Sequence, residues 1–127
     1  MNKNVVNANE APKAIGPYSQ AIVSNGFIYT SGQICINPET NKLNNTDFKN
    51  ELNQVLKNLD SILKEAGSNL NNIIKCTIYL SNLDYYEKLN NVFENTFGSN
   101  PPARSVVEVS RLPKDVNVEI DAIAIIE

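Results

Sequence analysis

The chain has 127 residues, 42% hydrophobic and 20% charged, with a formal net charge of −3. Those values suit one globular domain spanning residues 1–127. They argue against a nucleic-acid partner held by counterion release, and no apolar run approaches bilayer length. There is no His, which removes the Ser-His and Cys-His nucleophile systems and the usual zinc ligand sets. Chemistry has to run on Arg, Glu, Asp, Tyr, Lys or backbone groups, and no metal or cofactor is expected.

The segment Met1-Asn2-Lys3-Asn4 has no apolar stretch after its Lys, so no signal peptide is expected and the protein reads as cytoplasmic. Asn4 to Val6 is a short candidate strand. Asn9 to Ile15 is a loop, and Gly16-Pro17 marks a turn that presents Tyr18 at the mouth of a strand. Tyr18 reads either as a half-buried aromatic with its hydroxyl in water or as a ligand-lining group. Asn25-Gly26 between apolar runs is a type I′ hairpin signal, joining Gln20–Ser24 to a second strand over Phe27–Ile36. Gly32 stands inside that strand, where Gly marks a bulge or a close approach by a ligand or another backbone.

Thr46 or Asp47 can cap a first helix, whose stripe is Phe48, Leu52, Val55, Leu56, Leu59, Ile62 and Leu63, with Gly67 beyond its end. Ile73 to Leu80 is a strand with Ile74, Cys76, Ile78 and Leu80 inward. Asp84 and Glu87 resemble a capping box for a second helix, stopped by Gly98. Asn90 falls on that helix's apolar stripe, so its amide is either hydrogen-bonded inside or at the edge of a cavity. Cys35 and Cys76 sit in apolar patterns, in no C-x-x-C arrangement, and read as buried reduced thiols.

The last quarter of the chain reads as a hairpin. Arg104 opens its first strand, Arg111–Asp115 forms the turn, and Glu119 sits within a second strand where Val116, Val118, Ile120, Ala122 and Ala124 alternate with polar residues. With a turn near Leu112 or Pro113, Arg104 and Glu119 lie roughly diagonal, on one face if the register allows. One reading is a surface ion pair. The other is an Arg fork for a ligand carboxylate beside an acid that orients water. The elements describe an α+β fold: a mixed sheet with two helices on one face. The other face, carrying Val107, Val109, Ile120 and Ala122, is apolar enough to suggest an oligomer packed sheet to sheet.

Four segments together resemble the Rid family, the reactive intermediate deaminases, also known as the YjgF family. They are Ala14-Ile15-Gly16-Pro17-Tyr18-Ser19-Gln20-Ala21, Tyr29-Thr30-Ser31-Gly32-Gln33-Ile34, Leu63-Lys64-Glu65-Ala66-Gly67, and Pro102-Ala103-Arg104-Ser105 through Arg111-Leu112-Pro113-Lys114-Asp115 to Glu119. The resemblance implies a chorismate-mutase-like fold and a homotrimer with barrel-like sheet packing and ligand sites between subunits. It implies hydrolysis of 2-imino acids, released by pyridoxal-phosphate dehydratases, to 2-keto acids and ammonia. By the family's pattern Arg104 holds the substrate carboxylate and Glu119 positions the attacking water. Tyr18, Ser31, Gly32 and Asn90 line the pocket. Many family members have Cys two residues after the arginine, where this chain has Val106, so thiol-dependent mechanisms are in doubt here and Val106 is expected to alter the pocket's shape or polarity. Some relatives carry an endoribonuclease or translation-inhibitor assignment, and a non-catalytic ligand-binding or chaperone-like trimer is the third reading.

Overall fold

The structure, a computed structural model, describes residues 3–127. A six-stranded sheet has the order β1-β2-β3-β8-β6-β7. Its strands are β1 (Asn4–Val6), β2 (Ala21–Ser24), β3 (Phe27–Thr30), β6 (Ile73–Leu80), β7 (Ala103–Glu108) and β8 (Val118–Ile125). A separate two-stranded ribbon joins β4 (Ile36–Asn37) to β5 (Lys42–Leu43). Among the described residues only β6 and β7 pair in parallel; the other pairs are antiparallel. The helices α1 (Phe48–Glu65) and α2 (Tyr86–Phe97) cover one face.

Local chemistry explains most of these elements. Asn25 and Gly26 have φ of 52° and 81°, the positive values that a type I′ turn needs. Asp47 caps α1, accepting from the backbone N–H of Asn50 at 2.8 Å. Leu52, Val55, Leu59, Ile62 and Leu63 of α1 are buried against Ile28, Ile78, Leu80, Val118, Ile120 and Ala124. Truncating one of them, such as Leu59→Ala, costs roughly 2–5 kcal/mol. Phe48 stacks on Tyr85 with ring centroids 4.4 Å apart, fixing the start of α1 against the approach to α2.

The expected terminal hairpin does not form. β6 lies between β7 and β8, pairing Cys76 with Arg104 on one side and Tyr79 with Glu119 on the other. The connection 109–117 is longer than the roughly two to five residues of a hairpin loop and instead crosses the end of β6. There Val109 N–H donates to the Leu80 carbonyl and Ser81 N–H to that of Asn117. The apolar β6 is thereby buried as an interior strand.

Three smaller expectations are also corrected. The strand predicted over Phe27–Ile36 ends at Thr30, because the chain lifts past Gly32 and rejoins β8 only at the Gln33–Ile120 bridge. A register shift between Ile73 and Lys75 turns Ile74 outward, 42% exposed, while Ile73 is buried. Asn82, rather than Asp84, provides a cap ahead of α2, for the short turn Leu83–Tyr85, and accepts from Asp84 N–H at 2.8 Å.

Candidate functional site

Strand parity decides where the two charged residues point. Arg104, Val106 and Glu108 share the helix-covered side of the sheet with their register partners Cys76, Ile78 and Leu80. Glu119 and Asp121 pair with Tyr79 and Thr77 and lie on the opposite side. In one chain, then, Arg104 and Glu119 do not share a face. They are also two strands apart, about 10 Å along the hydrogen-bonding direction. Ile120 and Ala122 belong to the core, not to the open face where the apolar pattern suggested them. That face carries Val107, as expected, together with Phe27 and Tyr29, each more than a third exposed.

Arg104 meets α2. Its guanidinium lies 5.1 Å from the Phe93 ring centroid and 5.5 Å from that of Tyr86. Nη2 donates to the side-chain oxygen of Asn90 and to the Tyr86 hydroxyl at 3.4 Å. Both readings of Asn90 therefore hold together: its amide is hydrogen-bonded, and it stands at a cavity edge. Asn90, Phe93, Pro101, Pro102 and Arg104 line a recess of about 300 Å³. The ion pairs among the described residues join Lys64 to Asp60 and Arg111 to Asp115, so the Arg104 charge has no carboxylate partner there. Val106 follows on the same side, half-buried against the core.

Glu119 meets a different cavity, of about 560 Å³, whose wall includes Lys13, Ile15, Tyr18, Ser31, Gly32, Gln33 and Lys114. Ser31 is tied into the wall, its Oγ donating to the Ser19 carbonyl at 2.6 Å and its N–H to that of Gln20 at 2.9 Å. The Tyr18 hydroxyl accepts from Ile15 N–H at 3.3 Å, while the ring stays half exposed. Gly32 abuts the Glu119 carboxylate, which accounts for a glycine at this position. Burial first, and then the like charge of Asp121, raise the Glu119 carboxyl above its ordinary value. The structure thus brings Tyr18, Ser31, Gly32 and Glu119 together, and separately Asn90 and Arg104.

Buried polar residues hold both walls. Gln20 accepts from Ala8 N–H at 2.6 Å and donates to the carbonyls of Ala8 and Pro12, anchoring the loop that carries Lys13 and Ile15. Asn58 of α1 donates to the carbonyls of Ile34 and Ile36, fixing the chain beyond Gly32. The sequence reading singled out neither. Tyr86 and Phe93 of α2 flank the guanidinium as well. Cys35 and Cys76 are buried and free. Burial pushes both thiols up to about 11, so neither offers a thiolate near neutral pH.

A family model described as Endoribonuclease L-PSP matches residues 8–126. A RutC family protein of Pyrococcus abyssi is 49% identical over 98% of this chain and 98% of its own. A human protein named 2-iminobutanoate/2-iminopropanoate deaminase is 40% identical over 97% of this chain and 90% of its own. The chain belongs to the Rid family. A Rid family protein of Yersinia pestis has the same fold, with a TM-score of 0.94, 46% identity, and 98% and 99% of the two chains covered. The Rid fold seen here is the expected α+β arrangement, two helices on a mixed sheet. No helix among the described residues is long and apolar enough to cross a membrane.

Proposed function

We propose that this Rid chain is an imine deaminase, hydrolysing short 2-imino acids such as 2-iminobutanoate and 2-iminopropanoate to 2-keto acids and ammonia. One observation carries the reading. Among the described residues, a guanidinium and an acid that are in no ion pair each line a recess, on opposite sides of one sheet. Neither recess alone brings the Arg104 guanidinium and the Glu119 carboxyl together. A site using both takes Arg104 from one chain and Glu119 from another. The uncovered apolar groups Phe27, Tyr29 and Val107 give copies of the chain a reason to associate through their sheets. We take the assembly to be a homotrimer with its sheets inward and its sites between subunits. The name of the human relative supplies the substrate class.

The chemistry asks little of the protein. Arg104, steadied by Asn90 and two aromatic rings, presents parallel N–H donors to the substrate carboxylate. That fixes the neighbouring C=N carbon over Glu119. Glu119 accepts a proton from water as the water oxygen bonds to this carbon, giving a tetrahedral amino alcohol. The imine reacts in its protonated form, so its C=N electron pair settles on nitrogen; Glu119 hands its proton to that nitrogen and takes the hydroxyl proton as the C=O bond forms and ammonia leaves. A carboxylate whose affinity for protons is raised is the better general base, provided it stays ionised at working pH. The thiols at Cys35 and Cys76 take no part.

The test couples the chain to a threonine dehydratase, with semicarbazide competing for the released imine. The expected result is faster 2-keto acid formation at the expense of trapped imine. A rate no greater than spontaneous hydrolysis overturns the reading; carboxylate binding without turnover would then identify a ligand-binding oligomer. A second reading, RNA cleavage, takes its support from the family model's description and from exposed Lys13 and Lys114 beside the larger cavity. It predicts RNA binding that weakens steeply with salt. The net charge of −3 and the lack of His place it second.

A further inference from the structure

Among the described residues, one charged side chain is fully buried and unused by the proposed chemistry. Glu51, in the first turn of α1, is 0% exposed. Its Oε2 accepts from the backbone N–H of Asn117 at 2.6 Å and of Val118 at 3.0 Å, and its Oε1 accepts from Asn117 Nδ2 at 3.1 Å. These donors and the positive end of α1 replace the water that a buried carboxylate loses. An apolar side chain there would leave these donors without partners. The carboxylate thus holds two backbone N–H groups at the start of β8. The Asn117 side chain carries the connection on, its Oδ1 accepting from Ser81 Oγ at 2.8 Å at the end of β6.

We propose that Glu51 is a positioning residue for Glu119: it anchors Asn117 and Val118, and through them the direction in which the Glu119 side chain enters its cavity. The inference rests on the reading of Glu119 as the group that activates water. The residue after Glu119 is pinned as well, since Ile120 exchanges backbone hydrogen bonds with Gln33 at 2.9 and 3.1 Å. Glu119 is thus bracketed by two long-range anchors, one from α1 and one from the Gly32 loop. A carboxylate accepts all three donors of the first as they stand. The three groups facing residue 51 are all donors, and a glutamine there would turn its own N–H₂ toward one of them.

The test is Glu51→Gln, read by kinetics and by NMR titration of the Glu119 carboxyl. The variant is expected to lower kcat roughly ten- to hundredfold while KM stays within about twofold. The Glu119 titration is expected to move down toward the ordinary glutamate value as the carboxyl escapes its wall. A folded variant with wild-type kcat and an unmoved Glu119 titration overturns the proposal, as does a loss confined to KM. If Glu51→Gln does not fold, Ser81→Ala tests the far end of the same connection. A smaller shift in the same direction supports the proposal, and wild-type kcat with an unmoved Glu119 titration overturns it. The titration needs no substrate, so it tests Glu51 even if the wild-type chain proves to have no deaminase activity.

Discussion

Gly32 and Glu119 are in contact at a distance that leaves no room for a side chain: a Cβ at residue 32 would stand 2.1 Å from Glu119 Oε2. The φ of Gly32 is not positive, so what requires glycine is the approach of the carboxylate and not the backbone conformation. Gly32→Ala is therefore expected to fold. The atom that has to yield is the far end of a flexible side chain, at a cost of about 1 kcal/mol, the low end for overpacking. The displaced carboxylate no longer aims into the cavity, and kcat falls roughly a hundredfold. A crystal structure together with a melting curve checks the pair of outcomes. Wild-type turnover in a variant whose carboxylate has moved would detach Glu119 from the chemistry.

Arg104→Lys separates charge from shape. Lysine keeps the positive charge but loses the planar fork, the contact with Asn90 and the stacking against Tyr86 and Phe93. KM is expected to rise roughly tenfold or more, with kcat within about threefold. Competitive inhibition by a 2-keto acid should weaken in parallel. An unchanged inhibition constant would mean that the guanidinium does not hold the carboxylate.

Much of this was legible before any coordinates, and the limits have a physical cause. Helix α1, the Asn25-Gly26 hairpin and β6 declare themselves through local periodicity and turn chemistry. The residue types at 104 and 119 mark them as candidates. Their placement depends on pairing between distant strands, and a one-residue slip exchanges the faces. The insertion of β6 between β7 and β8 is such a non-local event, and it undoes the hairpin and the shared face together. The Gln33–Ile120 bridge is equally non-local. Glu51 could have been found. It stands three residues after Phe48 and four before Val55, a charge on an apolar stripe, and the reasoning applied to Asn90 applies to it unchanged.

The raised Glu119 carboxyl sets the pH dependence of both rate and stability. The ionised form is the base, so kcat/KM falls as pH drops through a value above that of ordinary glutamate. Glu119→Gln removes this limb along with most of the activity. Stability runs the other way. A carboxyl raised by folding holds its proton more tightly in the folded state, so its contribution is present at low pH and lost as pH rises through the folded value. At mildly alkaline pH, Glu119→Gln should therefore melt no lower than wild type and is expected to melt higher; at acid pH the two should converge. Melting curves at the two pH values read this directly, and a variant that melts lower at alkaline pH refutes it.

Division of the site between chains has its own signature. Arg104→Ala and Glu119→Gln should each be nearly inactive alone. If each site takes its arginine from one chain and its acid from a neighbour, a hybrid assembly contains sites in which both donors are intact. Random reassembly of an equal mixture restores about a quarter of the sites in a cyclic oligomer. Mixing after co-refolding is expected to recover close to that fraction of wild-type activity, whereas mixing without subunit exchange recovers none. Were both residues drawn from a single chain, every site would carry one lesion in wholly mutant assemblies, and co-refolding the two variants would leave the mixture as inactive as its parts. The sheet parity that sets Arg104 against α2 and Glu119 against Gly32 makes recovery the expected result.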